Sequence, residues 1–413
     1  MKLLSIKRFY LYISVLLVAS CATYKTKYAQ EFSGQAIENN KEIAHTFYLI
    51  GDAGLSPIGG MNPVLKSFKS RLDSASENST AIFLGDNIYP AGLPDKENEE
   101  YNVAKSHLDA QLNTLTNFSG KPIFIPGNHD WYSDGLKGVK REENYIEEAL
   151  NNKETFFPEN GCPIAEIEVS NDIIVIVIDT EWYLTNWDKH PDINDKCEIK
   201  DRARFFLAIE DAIRDNSEKT TIIAMHHPMF SYGSHGGQYS FKRHFYPSHG
   251  KIPLPFLGTF INVLRRTSGA SVEDIENKRY TELKNRLVTL AQYSNKVIFA
   301  SGHEHTLQYI VEKNIPQIVS GSGAKKGTAR LLNGSKFVTG KTGYAILEVY
   351  KDGSSKIDFH GIEANKEQLL YSTEVLPPNR KKQKFSGESN FPEFVEASVY
   401  TCLLYTSPSP RDS

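Results

Sequence analysis

Five apolar runs, each broken off by an acid, an amide or a histidine, constrain this chain more than any other feature. Thr80-Ala81-Ile82-Phe83-Leu84 runs into Gly85-Asp86-Asn87-Ile88-Tyr89, and His45 to Ile50 runs into Gly51-Asp52-Ala53-Gly54. Pro122 to Pro126 is followed by Gly127-Asn128-His129-Asp130, and Thr220 to Met225 by His226-His227-Pro228. Lys296 to Ala300 leads into Ser301-Gly302-His303-Glu304-His305. Read as buried strands, these runs place their polar ends at the carboxyl edge of a sheet, where open α/β folds bind ligands. Five such ends in this order predict a metal site.

The material between the runs predicts an α/β fold. Tyr101, Ala104, Leu108, Leu112 and Leu115 follow helical spacing, as do apolar positions within Arg202 to Ile213 and Glu276 to Tyr293. Ile173 to Ile178 is a continuous β-branched run, suited to a strand buried on both faces. After His305 the helical patterns stop, and Gly343 to Val349 and Ser355 to His360 predict a closing antiparallel pair. The chain has 413 residues, 40% of them hydrophobic, enough for one large domain with appendages. A formal charge of −3 and dispersed basic residues argue against nucleic-acid binding; the cluster Arg380-Lys381-Lys382 and Lys384 reads as a solvated tail.

The ends carry separate signals. Lys2, Lys7 and Arg8 precede an apolar run from Phe9 to Ser20 that has signal-peptide layout and is short for a bilayer span. It closes in Leu17-Val18-Ala19-Ser20-Cys21, which resembles the lipobox of bacterial lipoproteins. That resemblance makes residues 1–21 a lipoprotein signal segment with its lipobox cysteine, and implies cleavage just before Cys21, diacylation of Cys21 as the new N-terminus and stable attachment to a lipid bilayer of the bacterial envelope. Residues 22–42 read as a polar tether, 43–365 as the folded domain and 366–401 as a linker. Residues 402–413 look like the translation of a sequencing adapter and are set aside, which leaves the chain to continue naturally beyond Thr401. Cys162 and Cys197 flank the Ile173–Thr180 segment; an exported domain can join them in a disulfide, the alternative being two free thiols.

Carboxylate, imidazole and amide oxygen together suit divalent and trivalent first-row metals, and the absence of cysteine argues against structural zinc. An acid shared between two ions on a central strand would hold them about 3.5–4 Å apart, the arrangement that serves in-line displacement at phosphorus.

The five blocks resemble the motifs of the calcineurin-like metallophosphoesterases over roughly residues 45 to 362, and Tyr89, three residues past Asp86, resembles the purple acid phosphatase branch. The resemblance implies a β-sandwich flanked by helices in four αββα layers. It implies Asp52, Tyr89 and His305 on Fe(III), and Asn128, His226 and His303 on a divalent ion (Fe, Zn or Mn). Asp86 would bridge the two, with His129 and His235 as substrate-side groups that contact the phosphate or protonate the leaving group. The remaining histidines read as ordinary, Asp130 and Asp179 as supporting acids, and Trp131 as packing beside the site. The implied activity is hydrolysis of phosphate monoesters; a manganese or zinc phosphodiesterase or nucleotidase is the enzymatic alternative, and a non-catalytic envelope module the other. Envelope relatives can carry a C-terminal outer-membrane barrel, which would follow the present end. Between His235 and the last block, Gly237 to Val272 reads as an insertion, either overhanging the pocket or packing as a surface excursion.

Overall fold

The computed structural model describes residues 21–37, 40–185, 190, 192–246 and 252–379. The signal segment, the basic tail and the adapter-like end lie outside the described residues. In chain order the strands begin with β1 (Lys27–Tyr28), β2 (Ile43–Ile50), β3 (Ser79–Leu84), β4 (Lys121–Ile125) and β5 (Ile164–Ser170). They continue with β6 (Ile173–Ile178), β7 (Thr220–Met225), β8 (Val297–Ser301), β9 (Leu307–Glu312) and β10 (Ile315–Ser320). The last are β11 (Ser335–Thr339), β12 (Gly343–Tyr350), β13 (Ser355–Glu363) and β14 (Lys366–Leu376). The longer helices are α1 (Pro63–Leu72), α2 (Tyr101–Leu112), α3 (Leu136–Leu150), α4 (Thr180–Leu184) and α5 (Arg202–Asp215). After them come α6 (Phe241–Phe245), α7 (Pro255–Ser268) and α8 (Lys278–Ala291).

The strands form two mixed sheets, ordered β14-β13-β12-β2-β3-β4 and β1-β11-β9-β10-β8-β7-β6-β5. Parallel pairing joins β2 to β3 and β3 to β4 in one sheet. It joins β6 to β7, β7 to β8 and β8 to β10 in the other. Side chains alternate faces along a strand, and the alternation explains the layering. Ile82 and Leu84 of β3 share an apolar cluster with Val175, Ala224 and Ile298 of the opposite sheet. Ala81 and Phe83, one step out of phase, belong to the cluster that contains helix residues Phe68 and Leu108. Strands buried on both faces therefore read as unbroken apolar runs. The result is two sheets face to face with helices outside, the expected α/β sandwich.

Two boundaries differ from expectation. Part of the tether is folded, because β1 pairs antiparallel with β11 and Ala22 is buried. The linker begins later than residue 366, because β14 extends the first sheet along β13 with eleven residues. Cys162 and Cys197 are joined in a disulfide.

His45 on β2 is buried, with Nε2 2.9 Å from Thr80 Oγ1, and burial lowers its pKa from 6.5 to about 4. The folded form then resists a proton that the unfolded chain accepts below about 6.5. Stability contributed by the neutral ring is complete above pH 6.5 and lost as pH falls toward 4, at most about 3 kcal/mol. His45→Gln should flatten the denaturant-midpoint curve between those pH values; an unchanged slope would show that His45 does not set it.

Candidate metal centre

The strand ends meet at one place because two sheets present their carboxyl edges together. The Gly51 amide donates to the Ser320 carbonyl at 2.7 Å, and His226 Nδ1 lies 2.8 Å from the Leu84 carbonyl. Each contact ties one sheet to the other beside the site. The chain must turn sharply at each strand end, and three predicted ligands adopt left-handed backbone: Asp52 (φ 55°), Asp86 (φ 55°) and His303 (φ 65°). Such conformations cost about 1–3 kcal/mol each and cluster at functional sites. The motif glycines allow close approach: a Cβ on Gly127 would fall 2.3 Å from the Asp86 amide nitrogen, and one on Gly85 2.6 Å from His226 Nδ1.

Asp52, Asp86, Tyr89 and His305 converge. The Tyr89 hydroxyl is 2.8 Å from both Asp52 Oδ1 and Asp86 Oδ2 and 3.1 Å from His305 Nε2. His305 Nε2 lies 3.3 Å from Asp52 Oδ1. On the other side of Asp86, His226 Nε2 is 3.3 Å from Asp86 Oδ1 and 3.1 Å from Asn128 Oδ1. Carboxylate and imidazole atoms of Asp52, Asp86 and His226 all fall within 4.8 Å of one another. His303 donates its backbone N–H to Asp52 Oδ2 at 2.8 Å, while its Nε2 meets the Glu273 carbonyl at 3.0 Å.

These residues fit metal ions on chemical grounds. Asp52, Asp86, Asp130 and Glu142 are all at most 2% exposed, and buried carboxylates demand neutralisation. Burial and the Asp86 charge push Asp130 up to about 7, and burial and Asp130 push Glu142 well above the carboxylate range. Burial would raise Asp86 too, but His226 overcomes it and holds Asp86 well below its ordinary value. The imidazoles are pre-oriented from behind, His226 by the Leu84 carbonyl and His303 by the Glu273 carbonyl. Backing of this kind is usual for metal-bound histidines, and it leaves His226 Nε2 and His303 Nδ1 for an ion.

The two predicted substrate-side histidines flank this cluster. His129 donates its backbone N–H to Asp86 Oδ1 at 3.0 Å, its ring stands 4.6 Å from Tyr89, and Nδ1 meets the Pro90 carbonyl. The His235 ring lies 4.1 Å from that of His303, with Nδ1 3.1 Å from both the Glu273 carbonyl and Asp274 Oδ1. Burial would lower the His235 pKa, yet the bond to Asp274 and the charge of Glu304 raise it above the ordinary value.

Supporting residues divide into expected and unexpected. Asp130 accepts N–H bonds from Gly127, Asn87 and Ile88, and so joins two of the motif turns. Asp179 caps α4 through the Trp182 amide and accepts from Trp131 Nε1 at 2.9 Å. Sequence reading missed Glu304, whose carboxylate accepts the amides of Ser234, His235 and Gly236 and so shapes the His235 loop. Its only signal in the sequence was an acid between two ligand-type histidines. It also missed a second cluster of ligand-type atoms, His227, Glu273 and His303. There His227 Nε2 sits 2.8 Å from Glu273 Oε2, and Thr180 Oγ1 holds Nδ1 at 2.7 Å. His226, not His227, thus faces Asp86.

The insertion borders the site rather than standing apart. It runs directly into Glu273 and Asp274, and its Arg265 pairs with Asp274. It also supplies Lys242 and Arg243 to a cavity of about 640 Å³ that includes His305, Ser234, Lys326 and Tyr24. Lys325 lies over the Tyr89 ring, 2.8 Å from its centroid. Cationic walls beside this cluster of ligand-type side chains suit an anionic substrate.

Comparison with solved structures finds several similar chains. The Plasmodium protein titled "GAP50 the anchor in the inner membrane complex" is 16% identical, with TM-score 0.50, covering 82% of this chain and 91% of that one. A purple acid phosphatase from yellow lupin (Lupinus luteus) is 13% identical with TM-score 0.48, covering 84% of this chain but 55% of its own length. PhoD is 12% identical with TM-score 0.46, covering 83% of this chain and 70% of that one. Comparison with curated proteins gives no match. Residues 45–307 match the family profile described as calcineurin-like phosphoesterase, well over half of the chain. The strand-end ligand cluster and that match agree: the chain belongs to the calcineurin-like phosphoesterases.

Proposed function

We propose that this chain is a lipid-anchored, exported hydrolase of phosphate monoesters in the purple acid phosphatase branch, using Fe(III) and a divalent ion. The observation that carries the reading is the Tyr89 hydroxyl set among Asp52, Asp86 and His305. Burial, with Asp52 and Asp86, pushes the Tyr89 pKa well above its ordinary 10. A phenol so placed ionises only for a strongly charged cation, and a trivalent ion favours phenolate more than a divalent one does.

Asp52, Tyr89 and His305 would hold the ferric ion, Asn128, His226 and His303 the second, and Asp86 both. Such a pair supplies an activated water and neutralises charge developing at phosphorus. The chain's own groups do the rest. Lys242, Arg243 and Lys326 line the cavity through which a phosphate ester approaches. His129 stands beside Asp86, positioned to give a proton to the departing oxygen, and His235 is held ready against His303 to contact the phosphoryl group. In this reading Cys21 carries the lipid.

Metal analysis of the purified protein should give two ions per chain including iron, with a violet to pink band that Tyr89→Phe abolishes. Nitrophenyl phosphate should be cleaved faster than its bis-nitrophenyl diester. A colourless protein holding only manganese or zinc, active on diesters and indifferent to Tyr89→Phe, would replace this reading with the phosphodiesterase one. Metal binding without turnover of either ester would support a non-catalytic module.

A further inference from the structure

The insertion turns an apolar surface away from the protein. Leu257, Phe260, Ile261 and Leu264 of α7 follow i, i+3, i+4, i+7 spacing, one stripe of a helix. They are 48%, 59%, 37% and 46% exposed. The face of α7 that meets the protein is instead small and polar. Gly258 lies against the His244 carbonyl, where a Cβ would approach to 2.3 Å; Asn262 is buried, and Arg265 pairs with Asp274. A helix packed on a soluble domain normally shows the opposite arrangement. Ile252 and Leu254, just before α7, add 70% and 42% exposed apolar side chains. A contiguous apolar surface of this kind marks an interaction site.

The occupant is indicated by what lies next to the stripe. Cys21 lines a cavity of about 250 Å³ together with Phe241, Phe245, Val263 and Arg266, residues of α6 and α7. The residue that the lipobox would acylate is thus seated in the same small subdomain as the stripe. Arg266 of α7, which lines the Cys21 cavity, supplies positive charge suited to an anionic headgroup. Among the described residues no helix is long and apolar enough to cross a membrane. An amphipathic helix with an outward apolar face and basic neighbours lies in the interface plane.

We propose that the α7 stripe docks into the surface of the bilayer that holds Cys21, making the insertion a membrane-seating module. This rests on the lipoprotein reading for its geometry, and two contacts, lipid and stripe, would fix the domain's orientation where a single acylated residue would leave it free. The α6 helix links the two roles, giving Phe241 and Phe245 to the Cys21 cavity and Lys242 and Arg243 to the catalytic one.

The test uses the full chain reconstituted in vesicles of phosphatidylethanolamine and phosphatidylglycerol with brominated acyl chains. Phe260→Trp adds a reporter on the stripe, and Tyr293→Trp adds one at a position just beyond α8 that is 61% exposed. A side chain buried 5–10 Å into the headgroup boundary should lose about half of its added emission to bromine, whereas Tyr293→Trp should lose almost none. Equal quenching of the two would overturn the proposal. A blue-shifted Phe260→Trp emission without quenching would overturn it as well, showing that a protein surface covers the stripe. Retained metal content and an unchanged melting temperature confirm that each variant is folded. Palmitate labelling of the same preparation separates the premises. Label without quenching removes the docking stripe and keeps the anchor; quenching without label keeps the stripe and removes the anchor.

Discussion

Asp86→Asn should lower phosphoester turnover by at least about 10⁴-fold, the largest effect expected of any single change in this chain. Hydrolysis of phosphate monoesters is among the slowest uncatalysed reactions, and enzymes accelerate it by up to about 10²¹. Residues that act as one unit lose nearly everything when one member goes. Asp86 is such a member: its Oδ2 accepts from Tyr89, its Oδ1 accepts from the His129 amide, and it faces His226. Asparagine keeps the shape and one of the two acceptor oxygens, so it can keep either the Tyr89 or the His129 bond, but it removes the negative charge that two cations would share. The apo fold has reason to survive, since the same change relieves Asp130, whose pKa the Asp86 charge raises. The protein should therefore remain folded while its melting temperature stops rising with added metal, because ligand-linked stabilisation requires binding to the native state. Near-normal turnover, or a metal-dependent melting temperature like that of the parent, would remove Asp86 from its central role.

The convergence of Asp86 with the other strand-end residues was legible in the sequence because strand ends are local features. An unbroken apolar run followed by glycine and an acid fixes both the burial of the strand and the direction in which its last side chain emerges. Asp52, Asp86, Asn128, His226 and His303 all follow such ends, and the structure brings them together without a long loop supplying any of them. Their partners were not visible. Glu273 and Asp274 lie in a segment rich in charge, and only the folded chain shows that they hold His303 and His235. Glu304 looked like a spacer between two histidines, because the three amides it accepts belong to residues some seventy positions away in sequence. The two misplaced boundaries share a different cause. β1 is two residues long, too short to register as a pattern. β14 is an edge strand with partly exposed faces, so Lys366, Glu367 and Gln368 can occupy it without an apolar run. The α7 helix was not foreseen inside the insertion, and even its apolar spacing could not say which face of a helix meets the protein.

His129→Ala should lower turnover of alkyl phosphates by about 10²–10⁴-fold, the range of a positioned general acid. Its Nδ1 meets the Pro90 carbonyl, which can only accept, so that nitrogen carries a proton and Nε2 is left to face a substrate. The ring is braced between Tyr89 at 4.6 Å and Tyr132 at 4.9 Å, which limits its orientations. Alanine preserves the backbone N–H that reaches Asp86, so metal content should stay at the parent level. The diagnostic lies in the leaving group. An alkoxide departs poorly without a proton, whereas nitrophenolate is stable enough to leave unaided. The loss should therefore be large for alkyl phosphates and small for nitrophenyl phosphate, and kcat rather than KM should carry it. Equal losses on both substrates, expressed in KM, would instead make His129 a phosphate-binding residue and pass the acid's role to His235, which approaches the centre from the other flank through His303.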